Sequence, residues 1–555
     1  MKTKDLIAKR LRREKAIERK NRNKQQVAQQ RAATEMRDVE YTLPTGFSDE
    51  VLNEVKQLPN QSISQNEVMR RRDMRDVLTF TIDPDEAKDF DDALSFQILD
   101  TGNYQVGIHI ADVTHYVQEQ TALDDEAYQR GTSVYLVDRV IPMLPERLSN
   151  ELCSLRPDED KLCMSVIVEM DQQAKVIRHK ICRTVIRSNY RLTYRQAQDL
   201  LENSLQLTVD SGQLREALQV LNGLAKQLRA NRFRQGAINF ETPEVHFRLD
   251  EHNEPVEIFF HNSLDTNHLI EEFMLLANRI VATAIGKVKG ENGKVKADNG
   301  EVKKSEEAKP MVYRVHDNPD PEKIVKLSTF IKRFGLNLKV SSNSKTTHKH
   351  INALLDDCQG MPCQTLVETL TIRSMAKAVY STDNIGHYGL AFPYYTHFTS
   401  PIRRYPDMMV HRLVSRYLLQ SKAKCRADKE ELEQACVHCS ECELAAQMAE
   451  RDSIKEMHAR WISSHIGEEF DAIISGVTEF GLFVQLTDTM TEGLVPIRTI
   501  EPHDYMQFDE ENYCLIAARS GNTYTLSDKV RVRVTKVDIE RKLIDFVLVG
   551  HEEYR

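Results

Sequence analysis

From residue 77 the side chains alternate with a period of two. Val77, Thr79 and Thr81 oppose Leu78, Phe80 and Ile82, which predicts a strand that Pro84 ends. A second strand is predicted where Tyr104, Val106, Ile108 and Ile110 face one way and Gln105 and His109 the other. Later the period changes to that of a helix: Leu269, Phe273, Leu276 and Ile280 form one apolar face. A second such face runs through Cys436, Cys439, Glu443, Ala446, Glu450, Ile454, Met457 and Trp461. Short strands return at Phe470–Ile474, Leu482–Leu486 and Val530–Val537, the pattern of a small β-barrel. The fold class expected is α+β: a large mixed domain over residues 77–463, then a small β-barrel domain over 464–549 and a tail over 550–555. Residues 44–76 read as a linker. Residues 287–309, rich in Gly, Lys and Glu without apolar periodicity, read as a mobile surface insertion.

Composition narrows the class. The chain has 555 residues, 41% hydrophobic and 29% charged, with no run of 18 apolar residues, so no membrane span is expected. No secretory leader is expected either, and the ten cysteines lack a disulfide framework, which together point to a cytoplasmic protein with reduced thiols. The net charge of −9 excludes a uniformly basic nucleic-acid binder. Positive charge is instead local. Within residues 1–31, twelve Lys and Arg stand against Asp5, Glu14 and Glu18, so residues 1–43 are expected to form a basic tail, either a solvated arm or one that attracts RNA phosphates.

The densest chemistry follows the first strand. Asp83, Asp89, Asp91 and Asp92 crowd one short segment, with Asp85 and Glu86 in the same loop. Carboxylates so placed repel one another unless cations sit between them, and hard oxygen donors suit Mg²⁺. In a plain strand Asp89 and Asp91 would share a face and Asp92 would point away, so convergence requires a bend. Residues 399–407 (TSPIRRYPD) place Arg403 and Arg404 just before a predicted helix that holds Pro406 in its first turn, a location that favours phosphate. Residues 436–442 (CVHCSEC) could suggest a metal site, but two of the cysteines lie on the apolar helix face, so buried thiols are expected.

These segments, with residues 109–113 (HIADV), 135–155 (YLVDRVIPMLPERLSNELCSL), 236–242 (GAINFET), 270–278 (IEEFMLLAN), 313–317 (YRVHD) and 392–407 (FPYYTHFTSPIRRYPD), resemble the ribonuclease II family of exoribonucleases in collinear order over about residues 40–549. The resemblance implies a processive 3′→5′ exoribonuclease that hydrolyses single-stranded RNA to nucleoside 5′-monophosphates by a two-metal mechanism, in RNA degradation and turnover. It implies Mg²⁺, with Mn²⁺ as a substitute, at Asp83, Asp89, Asp91 and Asp92, with Arg403 beside them. It assigns RNA contacts to Tyr135, Tyr194, Phe240, Glu271 and Glu450, and leaves His109 and His316 structural. The alternative for Glu450 is a buried carboxylate paired to an arginine. Residues 464–549 resemble the RNA-binding OB-fold domain first seen in ribosomal protein S-one, with Phe480 and Phe483 as stacking candidates and His503 and Arg531 beside the RNA backbone. The family also carries two cold-shock-type domains ahead of the catalytic domain, which residues 1–43 are too polar to form. RNA 3′ ends are the expected partner. Intact aspartates argue against a non-catalytic RNA binder, and a DNase is the third class.

Overall fold

The computed structural model describes residues 43–44, 46–59, 63–202, 211–238, 244–286, 309–339, 344–361, 363–419, 427–510 and 512–552. The expected basic tail up to residue 42, residues 287–308 of the expected insertion at 287–309, and Phe240 lie outside them.

The frame of the large domain is a seven-stranded mixed sheet in the order β1-β8-β7-β4-β3-β2-β9. Its strands are β1 (Arg72–Asp73), β2 (Thr79–Asp83), β3 (Asp92–Ile98), β4 (Tyr104–Ala111), β7 (Asp160–Met170), β8 (Val176–Arg187) and β9 (Tyr190–Thr193). A small hairpin, β5 (Val134–Tyr135) and β6 (Val140–Ile141), stands apart from it. The alternation read from the sequence holds, but in the middle of the sheet both faces are covered, while β8 begins exposed. Every residue of β2 is buried, and so are ten of the eleven in β7. Burial on both faces explains why a polar residue in the middle must find polar company. His109, fully buried on β4, does so by hydrogen bonds of 2.8 Å to the hydroxyls of Ser95 on β3 and Ser165 on β7. Gly107 makes room for this ring, since a Cβ there would stand 2.5 Å from His109 Nε2 and 2.3 Å from Ser95 Oγ.

Two long helices, α1 (Ser211–Arg234) and α2 (Asp265–Gly286), share the sheet's core. On α2 the predicted stripe Leu269, Phe273, Leu276 and Ile280 is buried. Helix α3 (Tyr405–Val414) follows the arginine loop, and α4 (Lys429–Ser463) runs for 35 residues before the barrel. The barrel is closed from five strands, Glu469–Thr478, Gly481–Leu486, Glu492–Pro496, Leu543–Glu552 and Lys529–Asp538 in ring order. It is less separate than the sequence suggests. Ala459 and Ile462 at the end of α4, and Ile324, Leu327, Ile331, Ile351 and Leu354 from the neighbouring helices, belong to one buried cluster with Ala472, Val484 and Phe546 of the barrel. Trp461 stacks on His465 at 4.2 Å and meets Phe470, so the helix leads into the first barrel strand without a free linker.

Candidate active site

β2 and β3 pair antiparallel, Thr79 with Ser95 and Phe80 with Leu94. That register brings Asp83, the last residue of β2, and Asp92, the first of β3, to the same open end of the hairpin. The loop between them holds Asp89 and Asp91, and it bends where the sequence required. Ser154 makes the bend. Its fully buried hydroxyl donates to Lys88 O at 2.7 Å and accepts from Phe90 N at 3.0 Å, bracketing Asp89 on both sides. Leu155 N adds a bond to Phe90 O, and Arg191, on β9 beside β2, donates to the carbonyls of Pro84 and Asp85.

The arginine loop closes over this end. Ile402 N donates to Asp91 Oδ1 at 2.9 Å, and Arg403 Nε lies 3.4 Å from Asp91 Oδ2. The two arginines divide. Arg404 is the residue before α3 and bonds at 2.8 Å to Asp407, a carboxylate with no exposed surface that also accepts from Ser400 N. Arg404 is therefore spent on the loop itself, while the side chain of Arg403 stays about half exposed (47%).

A third segment completes the group. Ser133 N and Thr132 Oγ1 donate to Arg403 O, and the β5–β6 hairpin carries Tyr135 against the aspartates. The Tyr135 hydroxyl lies within the field of Arg403, Asp89 and Asp91, while 40% of the residue remains open to solvent. Glu450, on α4, pairs with no arginine among the described residues. Its carboxylate accepts from Tyr135 N at 3.1 Å, and Ser453 one turn on accepts from Val137 N at 3.0 Å. The arginine-paired acid on that helix face is Glu443, which takes both terminal nitrogens of Arg314. Cys436 and Cys439 are buried thiols on the same helix.

The other sequence candidates lie less centrally. Tyr194 starts the helix after β9, where burial and the charges of Asp92 and Asp83 push its hydroxyl upward. Glu271 accepts from Arg229, Arg232 and His268, so a ribose hydroxyl would compete with three donors there. Phe480 and Phe483 form an edge-to-face pair 6.0 Å apart, Phe480 exposed and Phe483 half-buried, so neither fills the barrel core. Arg531 is held by Glu469 and Asp471, and His503 is exposed. His316 bonds to Ala376 O and Gly389 N. Ser154, Arg191, Asp407 and Ser453 escaped the sequence reading, because a serine or arginine that bonds a distant backbone atom leaves no periodic or compositional trace.

Burial drives the electrostatics. It raises all four aspartates above the ordinary carboxylate range, and for Asp83 the nearby charge of Asp92 adds to it. Arg403 opposes the rise at Asp89, Asp91 and Asp92 but does not cancel it. Asp83 Oδ2 and Asp91 Oδ2 are buried without a hydrogen-bond donor. Among the described residues no three His, Cys, Asp or Glu side chains already converge into a finished metal site. The cluster is nonetheless short of positive charge and rich in hard, unpartnered oxygens, which is the donor chemistry a divalent cation satisfies.

The RNB domain family matches residues 71–420, and the S1 RNA binding domain family matches residues 464–548. Ribonuclease R of Aquifex aeolicus is 40% identical over 509 residues, which cover 92% of this chain and 69% of that protein. Ribonuclease R of Thermotoga maritima is 39% identical over 515 residues, with the same shares. The structure of Mycoplasma genitalium RNase R in complex with ribose methylated single-stranded RNA superposes with a TM-score of 0.82 at 28% identity, covering 92% of this chain and 77% of that one. On the aspartate hairpin, the arginine loop and these matches together, the chain belongs to the RNB-domain exoribonucleases, among the ribonuclease R proteins.

Proposed function

We propose that this protein is a processive 3′→5′ exoribonuclease that hydrolyses single-stranded RNA to nucleoside 5′-monophosphates, in RNA degradation and turnover in the cytoplasm. One observation carries the reading: Arg403 lies 3.4 Å from Asp91 with the Tyr135 side chain close enough to feel both charges, so a base platform, a carboxylate cluster and a phosphate-binding cation meet at one point. The roles follow from chemistry. The exposed Arg403 guanidinium binds the non-bridging oxygens of the last phosphodiester and stabilises charge as it builds there. The Tyr135 ring stacks on a base near the 3′ end while its hydroxyl holds the ring in place. Asp83, Asp89, Asp91 and Asp92 would hold Mg²⁺, or Mn²⁺ in its stead, and a cation so held would supply water activation and stabilisation of the leaving oxygen. Water adds to phosphorus and the bond to the 3′ oxygen of the penultimate nucleotide breaks. The products are a 5′-monophosphate and an RNA with a new 3′ hydroxyl. Glu450 and Ser453 keep the hairpin seated, and Phe480 with Phe483 gives the barrel a stacking surface for upstream RNA. The nine described cysteines, all free, support a reducing compartment.

The test is a 5′-labelled oligoribonucleotide resolved by product length. We expect a ladder shortening from the 3′ end with Mg²⁺, no cleavage in EDTA, and retained binding without turnover for Asp91→Asn. Unchanged cleavage in EDTA would sink the metal assignment, and internal cuts would sink the exonuclease assignment.

A further inference from the structure

The ends of the sheet differ. Asp92 pairs with Ile110, Ile110 with Met164 and Met164 with Arg183, so these residues mark the aspartate end. Met170 pairs with Val176 at the other end, six residues away along β7, which is about 20 Å at a strand's rise per residue. At that far end, between the β7–β8 turn and helices α1 and α2, lies a cavity of about 200 Å³. Its lining includes Lys175, Asn231, Arg232, Gln235, Glu272 and Arg279, over a floor that includes Leu275, Leu276 and Phe392.

The charges in this wall do not balance. Three cations face one carboxylate, an excess of two positive charges. Arg232 is matched, since it is buried and bonds to Glu272 at 3.0 Å and to Glu271 at 3.1 Å. Arg279 is not. Its guanidinium sits 5.2 Å from the centre of the Phe392 ring, and it meets no hydrogen-bond acceptor among the described residues. Burial weakens its hold on its proton, and the charge of Glu272 opposes this only in part. A half-buried guanidinium without an acceptor is poised to take one from whatever fills the space in front of it. Its fork of donors matches phosphate oxygens, the amides of Asn231 and Gln235 add neutral donors, and Phe392 offers a ring to a base or sugar.

We propose that this cavity is a second binding site, for the dianionic phosphate monoester of a mononucleotide, separate from the aspartate centre. The identification of the ligand as the enzyme's own class of product rests on the exonuclease reading; the anion site itself does not. Its volume suits a phosphate and sugar and excludes a duplex.

The experiment is calorimetric titration of the full chain with adenosine 5′-monophosphate, and separately with inorganic phosphate, both in EDTA. Without a cation the aspartate cluster repels phosphate, so binding reports other sites. We expect the nucleotide to bind wild type and Asp91→Asn alike, Arg279→Met to weaken it at least about tenfold, and Lys175→Glu, at the exposed mouth, to weaken it about three- to tenfold. Arg279→Met removes a half-buried charge that meets no acceptor among the described residues, so its ligand-free melting temperature should not fall. Equal affinity for inorganic phosphate would identify phosphate alone as the ligand and overturn the mononucleotide assignment. No binding, or binding that Arg279→Met and Lys175→Glu leave unchanged, would overturn the site. RNA turnover by the same preparations separates this failure from failure of the exonuclease reading.

Discussion

Replacing Asp83 with Asn should stabilise the metal-free protein while abolishing its chemistry. Asp83 and Asp92 close the mouth of one hairpin, and neighbouring strands lie about 4.8 Å apart. Two unit charges about 5 Å apart in an effective dielectric of about 20 repel by about 3 kcal/mol. Partial protonation relieves some of this, leaving about 1–3 kcal/mol for one neutralised carboxylate. Asn suits the position, because its amide oxygen keeps an acceptor beside Thr81. The sign follows from linkage. Asp83 and Asp92 have folded-state pKa values raised above the unfolded ones, so the folded state binds more protons and stability falls as pH rises from the unfolded value near 4 through the raised folded values. The advantage of Asp83→Asn should therefore be largest at pH 8 and vanish below about pH 4. Thermal melts in EDTA at several pH values test this, with a gain of about 1–4 °C expected at pH 8. Adding Mg²⁺ should raise the wild-type melting temperature and leave the variant nearly unmoved. A variant that melts lower than wild type at pH 8 in EDTA would show that the carboxylates are not in conflict.

Three further outcomes are expected. Ser154→Ala strands Phe90 N and Lys88 O, at about 1–3 kcal/mol in stability; turnover should drop about ten- to a hundredfold while the RNA dissociation constant, read by filter binding, stays within about twofold. Tyr135→Phe keeps the ring and removes the hydroxyl beside Asp89 and Arg403, so single-turnover cleavage should slow with the limit product unchanged, whereas Tyr135→Ala should lengthen the limit product. Deleting residues 1–31 should weaken RNA binding at low salt and flatten the salt slope by roughly 0.7 for each RNA phosphate that the segment neutralises, with cleavage of bound RNA the same; an unchanged slope would make that segment a solvated tail.

The strands, the α2 stripe and the barrel were legible because each repeats a period that backbone geometry imposes. The aspartates were legible because carboxylates rarely crowd without a cation. Periodicity could not reveal which partner each polar residue would take. Glu450 lies on the apolar stripe of α4, as its spacing predicts, yet its partner is the backbone of Tyr135, 315 residues away, rather than an arginine. Glu271 carries the family motif, yet three basic side chains claim its carboxylate. Arg403 and Arg404 are neighbours of identical chemistry. Only the buried Asp407 beyond them decides which is tied down and which stays exposed, and that needs the loop's path rather than its composition.

The supports also explain why the site is assembled from distant pieces. A hairpin whose mouth holds four carboxylates, two of them buried, would open if only its own two strands held it, since local repulsion of a few kcal/mol rivals the net stability of a small β-hairpin. Each restraint on that mouth comes from elsewhere: Ser154 and Leu155 from the chain before β7, Arg191 from β9, Ile402 N from the arginine loop and Tyr135 from a hairpin clamped by α4. Because these segments lie in or around one continuous core, the strain is opposed by the whole domain rather than by a turn. The half-exposed cation Arg403 arrives on the same loop that supplies Ile402 N. Closing the aspartates and delivering the phosphate-binding group are thus a single folding event, and a chain that packs its core correctly cannot make one half of the site without the other.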